Sequence, residues 1–119
     1  MSEFNALQDK IRKFVEIRDW DQYHTPKNLC LALIAECGEL VEHFQWLSEA
    51  ESADLPAESL EEVSHELADV FVYLLRLSDK LGIDLLEAAQ RKMILNEAKY
   101  PADEVRGSAK KYTEYKNRR

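Results

Sequence analysis

Apolar residues recur at steps of three and four along most of the chain, which is the spacing of one face of an α-helix. This pattern predicts a first helix from about Glu3 to Ile17, and Ser2 is suited to cap its N-terminus. A second helix is predicted to open at Thr25-Pro26, because threonine caps helices and proline is tolerated at the first helical position. Its apolar stripe is Leu29, Leu33, Cys37, Leu40, Phe44 and Leu47.

A polar stretch separates the second helix from a long third one. Residues 48–57 are predicted to form a linker, and the third helix is predicted to run from about Glu58 to Leu81. Ser59 and Glu62 have the spacing of a capping box at its start. Its apolar stripe is Leu60, Val63, Leu67, Val70, Leu74, Leu77 and Leu81.

Four main helices and a shortage of helix breakers predict the fold class. Gly82 is expected to stop the third helix, and Asp84 to cap a fourth that runs to about Lys99. The chain has only 3 Gly and 3 Pro among 119 residues, too few for a many-stranded sheet. We therefore expect an all-α, four-helix-bundle-like fold.

The length predicts a single domain over residues 1–119, with a core of about 3–100 and a basic tail over 101–119. A core of this size favours burial of further surface between subunits, so we expect association with a second copy. The basic residues of the tail are Arg106, Lys110, Lys111, Lys116, Arg118 and Arg119.

The net charge of −7 and the isoelectric point near 5.0 argue against binding of a nucleic-acid polymer by the whole surface. The N-terminus has no apolar run typical of a signal peptide, and no run of ~18 apolar residues predicts a membrane helix. Cys30 and Cys37 fit no zinc motif and are predicted to be small buried side chains. These features predict a cytoplasmic protein without a membrane partner.

Two pairs of carboxylates stand beside the apolar stripes of the second and third helices. Glu36 and Glu39 form the first pair, and Glu66 and Asp69 form the second. Residues three apart are neighbours on a helix, roughly 5–6 Å apart at Cβ. If the two helices pack side by side, four negative charges converge and require a cation. Carboxylate ligands predict a hard divalent ion, Mg²⁺ or Mn²⁺.

Two other interpretations of these acids stay open. Acids three apart on a helix often form a solvated face, although two pairs beside apolar stripes weaken that interpretation. A di-iron bundle would need two Glu-x-x-His pairs. Only Glu62 and His65 have this spacing, since Glu39 and His43 are four apart. We therefore expect His65 to be a surface or helix-packing residue.

Several aromatic and polar side chains are candidates to hold an organic substrate. An aromatic ring can stack on a base and hydrogen-bond to it, and the alternative role is packing in a core or an interface. Lys92 and Asn96 share one face of the fourth helix, which by spacing alone is an ordinary polar face. The full set of candidates is Trp20, His24, Trp46, Tyr73, Lys92 and Asn96.

The order of these motifs resembles the all-α nucleoside triphosphate pyrophosphohydrolases of the MazG-like superfamily. Its pattern is Glu-x-x-Glu on one helix and Glu-x-x-Asp on the next, which here are residues 36–39 and 66–69. The fuller string is similar to the dCTP pyrophosphatase-like branch, over about Phe14 to Tyr112. The matching segments are Trp20, His24-Thr25-Pro26-Lys27-Asn28-Leu29, Phe44-Gln45-Trp46, Tyr73, Lys92-Met93, Asn96, Tyr100-Pro101 and Lys110-Lys111-Tyr112-Thr113.

The resemblance implies a Mg²⁺-dependent hydrolase that cuts a nucleoside triphosphate between the α and β phosphates and releases pyrophosphate. dCTP or a cytosine-modified analogue would be the substrate, in nucleotide-pool sanitation. The family forms homodimers or homotetramers with active sites near the subunit contacts. By matching positions, Glu36, Glu39, Glu66 and Asp69 would bind the metal, with Glu39 or else Glu36 activating water. Trp20, His24, Trp46 and Tyr73 would form the base and sugar pocket, and Lys92 and Asn96 would contact phosphate and sugar.

Two departures from the family pattern bear on this assignment. Ala35 stands where the wider superfamily often has a further glutamate, which the dCTP pyrophosphatase-like branch also tends to lack. Ile11 stands where some relatives carry a histidine near the base, so the base preference stays open. The alternative function is a non-catalytic nucleotide-binding or helical dimerisation module. Loss of a motif acid would favour that alternative, and none is lost.

Overall fold

A computed structural model describes residues 2–108, and all regular structure in that range is helical. The predicted all-α class with four main helices is therefore confirmed. A 3₁₀ turn over Asp21–Tyr23 joins the first two helices. In chain order the helices are α1 (Glu3–Ile17), α2 (Pro26–Glu42), the short α3 (Glu49–Ser52), α4 (Ala57–Lys80), α5 (Leu85–Lys99) and the short α6 (Ala102–Val105).

Side-chain caps begin three of the long helices where the sequence predicts them. The Ser2 hydroxyl accepts a hydrogen bond from a backbone N–H at 3.1 Å, and the Thr25 hydroxyl accepts one at 3.2 Å. The Asp84 carboxylate accepts the corresponding bond at 3.1 Å. Gly82 follows α4 with a φ of +68°, the left-handed conformation that ends a helix.

The predicted linker over residues 48–57 is wrong in part, because it contains α3. Ser48 and Glu51 form a reciprocal capping box, in which each side chain accepts a hydrogen bond from the other's backbone N–H. The capping box predicted at Ser59 is also wrong, because α4 begins at Ala57 after Pro56. Proline presets a backbone conformation compatible with a helix start, so the helix begins without a side-chain cap.

The second helix ends earlier than its apolar stripe predicts. The His43 N–H bonds to the Leu40 carbonyl at 3.2 Å, and the Phe44 N–H bonds to the Val41 carbonyl at 2.9 Å. Each of these bonds joins residues three apart in the chain, whereas the bonds of an α-helix join residues four apart. The chain therefore tightens into a turn. Trp46 therefore lies on a turn and not on the helix.

The core of the first four helices is built around α4. Helix α2 packs along α4, and α1 packs against α4 as well. Leu75 of α4 is fully buried at 0% exposure, and Leu29 of α2 is buried at 1%. Val15 of α1 and Val63 of α4 complete the buried apolar set of the described residues.

Much of the predicted apolar stripe of α4 stays exposed in the single chain. Leu60, Leu67, Leu74 and Leu81, spaced by seven residues, are all exposed. Helices α1 and α2 cover only part of the surface of α4, and this row lies outside the part that they cover. The prediction that Cys30 is buried is also wrong, because Cys30 is exposed while Cys37 is partly buried.

The described residues group into two compact units that meet in the chain between Ile83 and Asp84. The first contains α1 to α4, and the second contains α5 and α6. The single-domain prediction is not tested by this grouping. Most of the predicted basic tail, from residue 109 onward and including Lys110 and Lys111, lies outside the described residues. Within residues 2–108, no helix has the length and apolar character needed to cross a membrane.

Substitution of Gly38 tests whether the middle of α2 is open to solvent. A Cβ built there meets no atom within 4 Å in the described chain. Gly38→Ala should therefore raise the free energy of unfolding by about 1 kcal/mol, the helix-propensity gain of alanine over glycine. Urea unfolding of the metal-free protein measures this change.

Gly82→Ala is the matched control for that substitution. Its positive φ makes alanine strained, so the free energy of unfolding should fall by about 1–2 kcal/mol. Destabilisation by Gly38→Ala would contradict an open surface at Gly38 and would indicate that another copy of the chain packs against it.

Candidate functional site

Three of the four predicted metal-binding acids converge where α2 packs along α4. Glu36 and Glu39 lie one turn apart on α2, and Glu66 lies on α4. One carboxylate oxygen from each of the three lies within 4.8 Å of the other two. Helix packing has therefore assembled a cluster of acids from positions thirty residues apart in the chain.

The inner oxygens of this carboxylate cluster lack protein partners. Glu36 Oε2 and Glu66 Oε2 are buried, and neither has a hydrogen-bond partner among residues 2–108. An unpaired buried carboxylate oxygen is costly, since burial removes its water without a replacement. Oxygens of this kind suit a hard divalent cation such as Mg²⁺ or Mn²⁺, so the donor set fits the predicted metal.

The pKa of Glu36 reflects both its burial and the crowding of these charges. Burial is the largest cause, and together with a side-chain hydrogen bond to Glu39 and the negative charges of Glu39, Asp69 and Glu66 it raises the pKa of Glu36 to about 7. Burial and Glu39 also raise the pKa of Glu66. Without a cation, the cluster therefore tends to hold a proton near neutral pH.

His43 lies beside the cluster and contacts it from the end of α2. Its Nε2 is 3.7 Å from a Glu66 oxygen, and its Nδ1 is 3.8 Å from a Glu62 oxygen. The contact lowers the pKa of Glu66 and so opposes part of the effect of burial. Sequence reasoning assigned His43 no role, although it follows Glu36 and Glu39 along the same face of α2.

Asp69 and Tyr73 join the carboxylate cluster to a neighbouring pocket. Both line an open pocket of about 420 Å³, a size suited to a small organic ligand. Burial and the charges of Glu36, Asp69 and Glu39 raise the pKa of Tyr73, so the phenol lies within the field of the acids. Asp69 therefore faces the pocket and acts electrostatically on the cluster.

Helix α1 and the connector that follows it supply the apolar wall of this pocket. Phe14 and Trp20 both line it, and their rings meet edge to face with centroids 5.7 Å apart. Ile11, which stands where the family resemblance led us to expect a histidine, also lines the pocket. A flat apolar ligand therefore finds aromatic and aliphatic surface within one cavity.

The polar end of the pocket is formed by His24 and Arg76. The Arg76 Nε donates a hydrogen bond to His24 Nδ1 at 3.1 Å, and a terminal nitrogen of Arg76 donates to Asp21. Lys80 Nζ donates to the same Asp21 carboxylate at 3.0 Å. The bonds to Asp21 attach the connector to the C-terminal part of α4, and the bond from Arg76 places His24 at the pocket wall.

Three predicted site residues are not among the described residues that line this pocket. Trp46 is 86% exposed on the turn after α2 and does not line the pocket. Lys92 is exposed and Asn96 is half-buried on α5, which belongs to the second compact unit. Their substrate-binding roles stay predictions. His65 is exposed, and its Nε2 lies 3.3 Å from a Glu61 oxygen. It is therefore a surface residue, as expected for a Glu-x-x-His pair that occurs only once in the sequence.

Arg76 is a charged pocket residue to which the sequence assigned no role. It follows Glu66, Asp69 and Tyr73 along α4 at steps of three and four, so its position on the same face was readable from the sequence. Its burial and its contact with His24 were not readable, because they depend on the fold of a connector more than fifty residues away.

Comparison with known proteins places this chain in a family. The profile of the MazG-like family matches residues 32–115. The dCTP pyrophosphatase 1 of Mus musculus is 43% identical over 104 residues, which are 86% of this chain and 61% of that protein. The Homo sapiens protein of the same name is 42% identical over 104 residues, with the same shares. The chain thus spans about three fifths of the length of these curated relatives.

A solved structure with the same fold supports the comparison. The crystal structure of a pyrophosphatase from Archaeoglobus fulgidus DSM 4304 has a TM-score of 0.77 to this chain and is 44% identical in sequence. The match covers 85% of this chain and 94% of that one. The matched range includes all four predicted metal-binding acids, while Trp20 and His24 precede it. As its motifs predict, the chain belongs to the MazG-like family.

Proposed function

We propose that this chain is a Mg²⁺-dependent nucleoside triphosphate pyrophosphohydrolase. It cleaves dCTP, or a cytosine-modified analogue, to the monophosphate and pyrophosphate in nucleotide-pool sanitation. The observation that carries the proposal is the shared boundary between the carboxylate cluster and the aromatic pocket, at Asp69 and Tyr73. A nucleotide bound with its base in the pocket would have its phosphates directed toward the acids.

The names of the relatives support the substrate class. The curated relatives with 42–43% identity are dCTP pyrophosphatases, and the archaeal protein of known structure is a pyrophosphatase. The pocket supplies rings for stacking at Trp20 and Phe14, and a hydrogen-bonding group at His24. These groups suit a base better than a flexible apolar chain, because a base has both a flat face and a polar edge.

The proposed chemistry uses the acids as a metal holder. Glu36, Glu39, Glu66 and Asp69 would hold Mg²⁺, or Mn²⁺, through carboxylate oxygens. When bound, the ion supplies charge neutralisation and polarisation of the phosphate oxygens. The wall formed by Tyr73 and Asp69 orients the nucleotide so that water can approach the α-phosphorus in line with the leaving pyrophosphate.

Glu39 is the proposed group that orients and deprotonates the attacking water. It is the exposed member of the three clustered glutamates, so solvent reaches it while Glu36 and Glu66 are partly buried. Glu36 is the alternative base, because it lies in the same cluster one turn before Glu39 on α2.

Exposed apolar residues of α2 and α4 support the predicted homodimer or homotetramer. Large exposed apolar patches on a protein surface are typical of interaction sites. Trp46 is too exposed to hold a base by itself, so its predicted contact with substrate would be made within such an assembly. The exposed residues of this surface are Leu31, Ile34, Val41, Leu60, Leu67, Phe71 and Leu74.

A panel of the common dNTPs, NTPs and 5-methyl-dCTP tests the proposed function. Pyrophosphate release should require Mg²⁺ and should be fastest with dCTP or 5-methyl-dCTP. Glu39→Gln should lower kcat by about 10²–10⁴-fold while the far-UV circular dichroism stays that of the wild type. Glu42→Gln is the matched control, because it removes the same charge from an exposed position one turn later on α2.

Each outcome of this panel has a distinct meaning. If pyrophosphate release is fastest from a nucleotide with another base, the metal site stands and the cytosine assignment is wrong. If Glu39→Gln and Glu42→Gln lower kcat equally, Glu39 is not the base that activates water. No release from any nucleotide would favour the non-catalytic nucleotide-binding or dimerisation module.

Binding of Mg²⁺ should weaken as the pH falls below about 7. The cation requires deprotonated Glu36, whose pKa is raised to about 7, so binding at lower pH must displace a proton. The apparent affinity should fall by up to about tenfold per pH unit for each displaced proton. Titration calorimetry at pH 6 and pH 8 measures this difference.

The same pKa predicts how the metal-free protein responds to pH. A carboxyl pKa raised from the ordinary value of 4.5 to about 7 favours folding while the group is protonated, and this contribution is lost as the pH rises through 7. The Tm in EDTA should therefore be lower at pH 8 than at pH 6, and Mg²⁺ should raise it at pH 8. In Glu36→Gln both effects should shrink. A Tm of the wild type that is higher at pH 8 would contradict the raised pKa.

Trp20→Ala should raise KM for the preferred nucleotide by about fivefold to tenfold, because an aromatic stacking contact contributes roughly 1 kcal/mol. Its kcat should change little, since Trp20 lies in the pocket and not in the carboxylate cluster. Trp46→Ala, measured in parallel, tests the second tryptophan. A raised KM would indicate that Trp46 contacts the substrate, and an unchanged KM would indicate that Trp46 has a packing role only.

A further inference from the structure

The Arg76 guanidinium is buried beneath the polar end of the pocket and has three partners. The residue is only 6% exposed. Its Nε donates to His24 Nδ1 at 3.1 Å, one terminal nitrogen donates to Asp21, and the other lies 3.4 Å from an Asp79 oxygen. Two carboxylates already balance its charge, so the bond to the imidazole is an additional contact with a neutral acceptor.

The chemistry of this contact determines where the imidazole carries its proton. Arginine stays protonated in proteins and has donors only. His24 Nδ1 must therefore present a lone pair to Arg76 Nε. A neutral imidazole with an unprotonated Nδ1 carries its single hydrogen on Nε2. The contact is thus compatible with one of the two neutral tautomers and incompatible with the doubly protonated ring.

Burial and the nearby positive charges also favour the neutral His24 ring over the doubly protonated one. Burial lowers the pKa of His24, and the positive charges of Arg76 and Lys80 lower it further, while the negative charge of Asp21 opposes them. The ring lines the pocket, and none of the described residues is a hydrogen-bond partner of its Nε2. The N–H on that nitrogen is therefore available to a ligand.

We propose that Arg76 is a positioning residue that holds His24 as the neutral Nε2–H tautomer, so that the pocket offers a fixed hydrogen-bond donor to an acceptor on the bound base. The inference rests on the proposed function, since it assigns the pocket to a base. The acceptor would be a carbonyl oxygen or an unprotonated ring nitrogen. Cytosine carries both of these on adjacent atoms of one edge.

A purely structural role for Arg76 makes a different prediction. Arg76 also attaches the connector to α4 through Asp21, and Lys80 does the same through its own bond at 3.0 Å. Lys80→Gln therefore weakens that attachment and leaves the hydrogen bond between Arg76 and His24 in place. If attachment of the connector were the whole role of Arg76, the two substitutions would have similar effects.

The neighbouring ion pairs make removal of Arg76 feasible. In Arg76→Met, Asp21 keeps Lys80 as a partner, and Asp79 keeps Arg12, whose Nε donates to it at 2.7 Å. Neither carboxylate is left without a cation, and methionine retains much of the side-chain volume. Arg76→Lys serves as a second variant, because it preserves the charge but loses the rigid planar donor arrangement of arginine.

Nitrogen-15 NMR of the histidine rings tests the tautomer directly, without substrate and without activity. The chain has 3 histidines, and His24→Gln identifies the signals of His24 by their absence. The wild type and Lys80→Gln should show His24 protonated at Nε2 alone. Arg76→Met should show a mixture of both neutral tautomers. A wild-type ring protonated at Nδ1 or at both nitrogens, or an unchanged ring in Arg76→Met, would overturn the proposal.

Steady-state kinetics tests the consequence for binding. Arg76→Met should raise KM for the preferred nucleotide about twofold to tenfold, the effect of one impaired hydrogen bond, with kcat within twofold of the wild type. Lys80→Gln should leave KM unchanged, and Arg76→Lys should lie between the wild type and Arg76→Met. Equal increases in KM for Arg76→Met and Lys80→Gln would overturn the positioning role. If no nucleotide is hydrolysed, the proposed function fails, and the ring spectra still decide the tautomer.

Discussion

Repulsion between carboxylates held together by helix packing is the constraint on which the site depends. Apolar contacts between α2 and α4 bring Glu36, Glu39 and Glu66 together, although their charges oppose that approach. The pKa of Glu36, raised to about 7 by burial and then by the neighbouring carboxylates, reflects this opposition in part. Hydrophobic packing along the helices therefore supports an arrangement that is unfavourable at its centre, and a bound divalent cation would convert the repulsion into attraction.

Helix α4 carries both signs of charge in separate places. Five of its six acids lie between Glu58 and Asp69. Arg76 and Lys80 lie toward its C-terminus, where the helix dipole favours cations and where Asp79 is the sixth acid. The pocket lies between these regions, with Asp69 on its acidic side and Arg76 on its basic side. A ligand in the pocket therefore has a negative side chain on one side and a positive one on the other, and both come from α4.

The fold and the family could be predicted from the sequence because both depend on local signals. Helical periodicity and the caps at Ser2, Thr25 and Asp84 predict the long helices, and the spacing of the two acid pairs predicts which faces meet. The early end of α2 was not predicted, because an apolar stripe can continue through a turn. The exposure of alternate residues in the stripe of α4 was not predicted either, since periodicity identifies an apolar face and not what covers it.

The sequence by itself determined the four long helices, the caps at Ser2, Thr25 and Asp84, the order of the acids on two of the helices and the membership of the MazG-like family. These properties follow from residue spacing and from backbone hydrogen-bonding rules that act over a few positions. Only the tertiary structure decided that Trp20 and His24 share a pocket with Tyr73 while Trp46 lies outside it, and that Arg76 is buried against His24. Such relations depend on how a connector folds back onto α4, and no local pattern encodes a contact between residues so far apart in the chain.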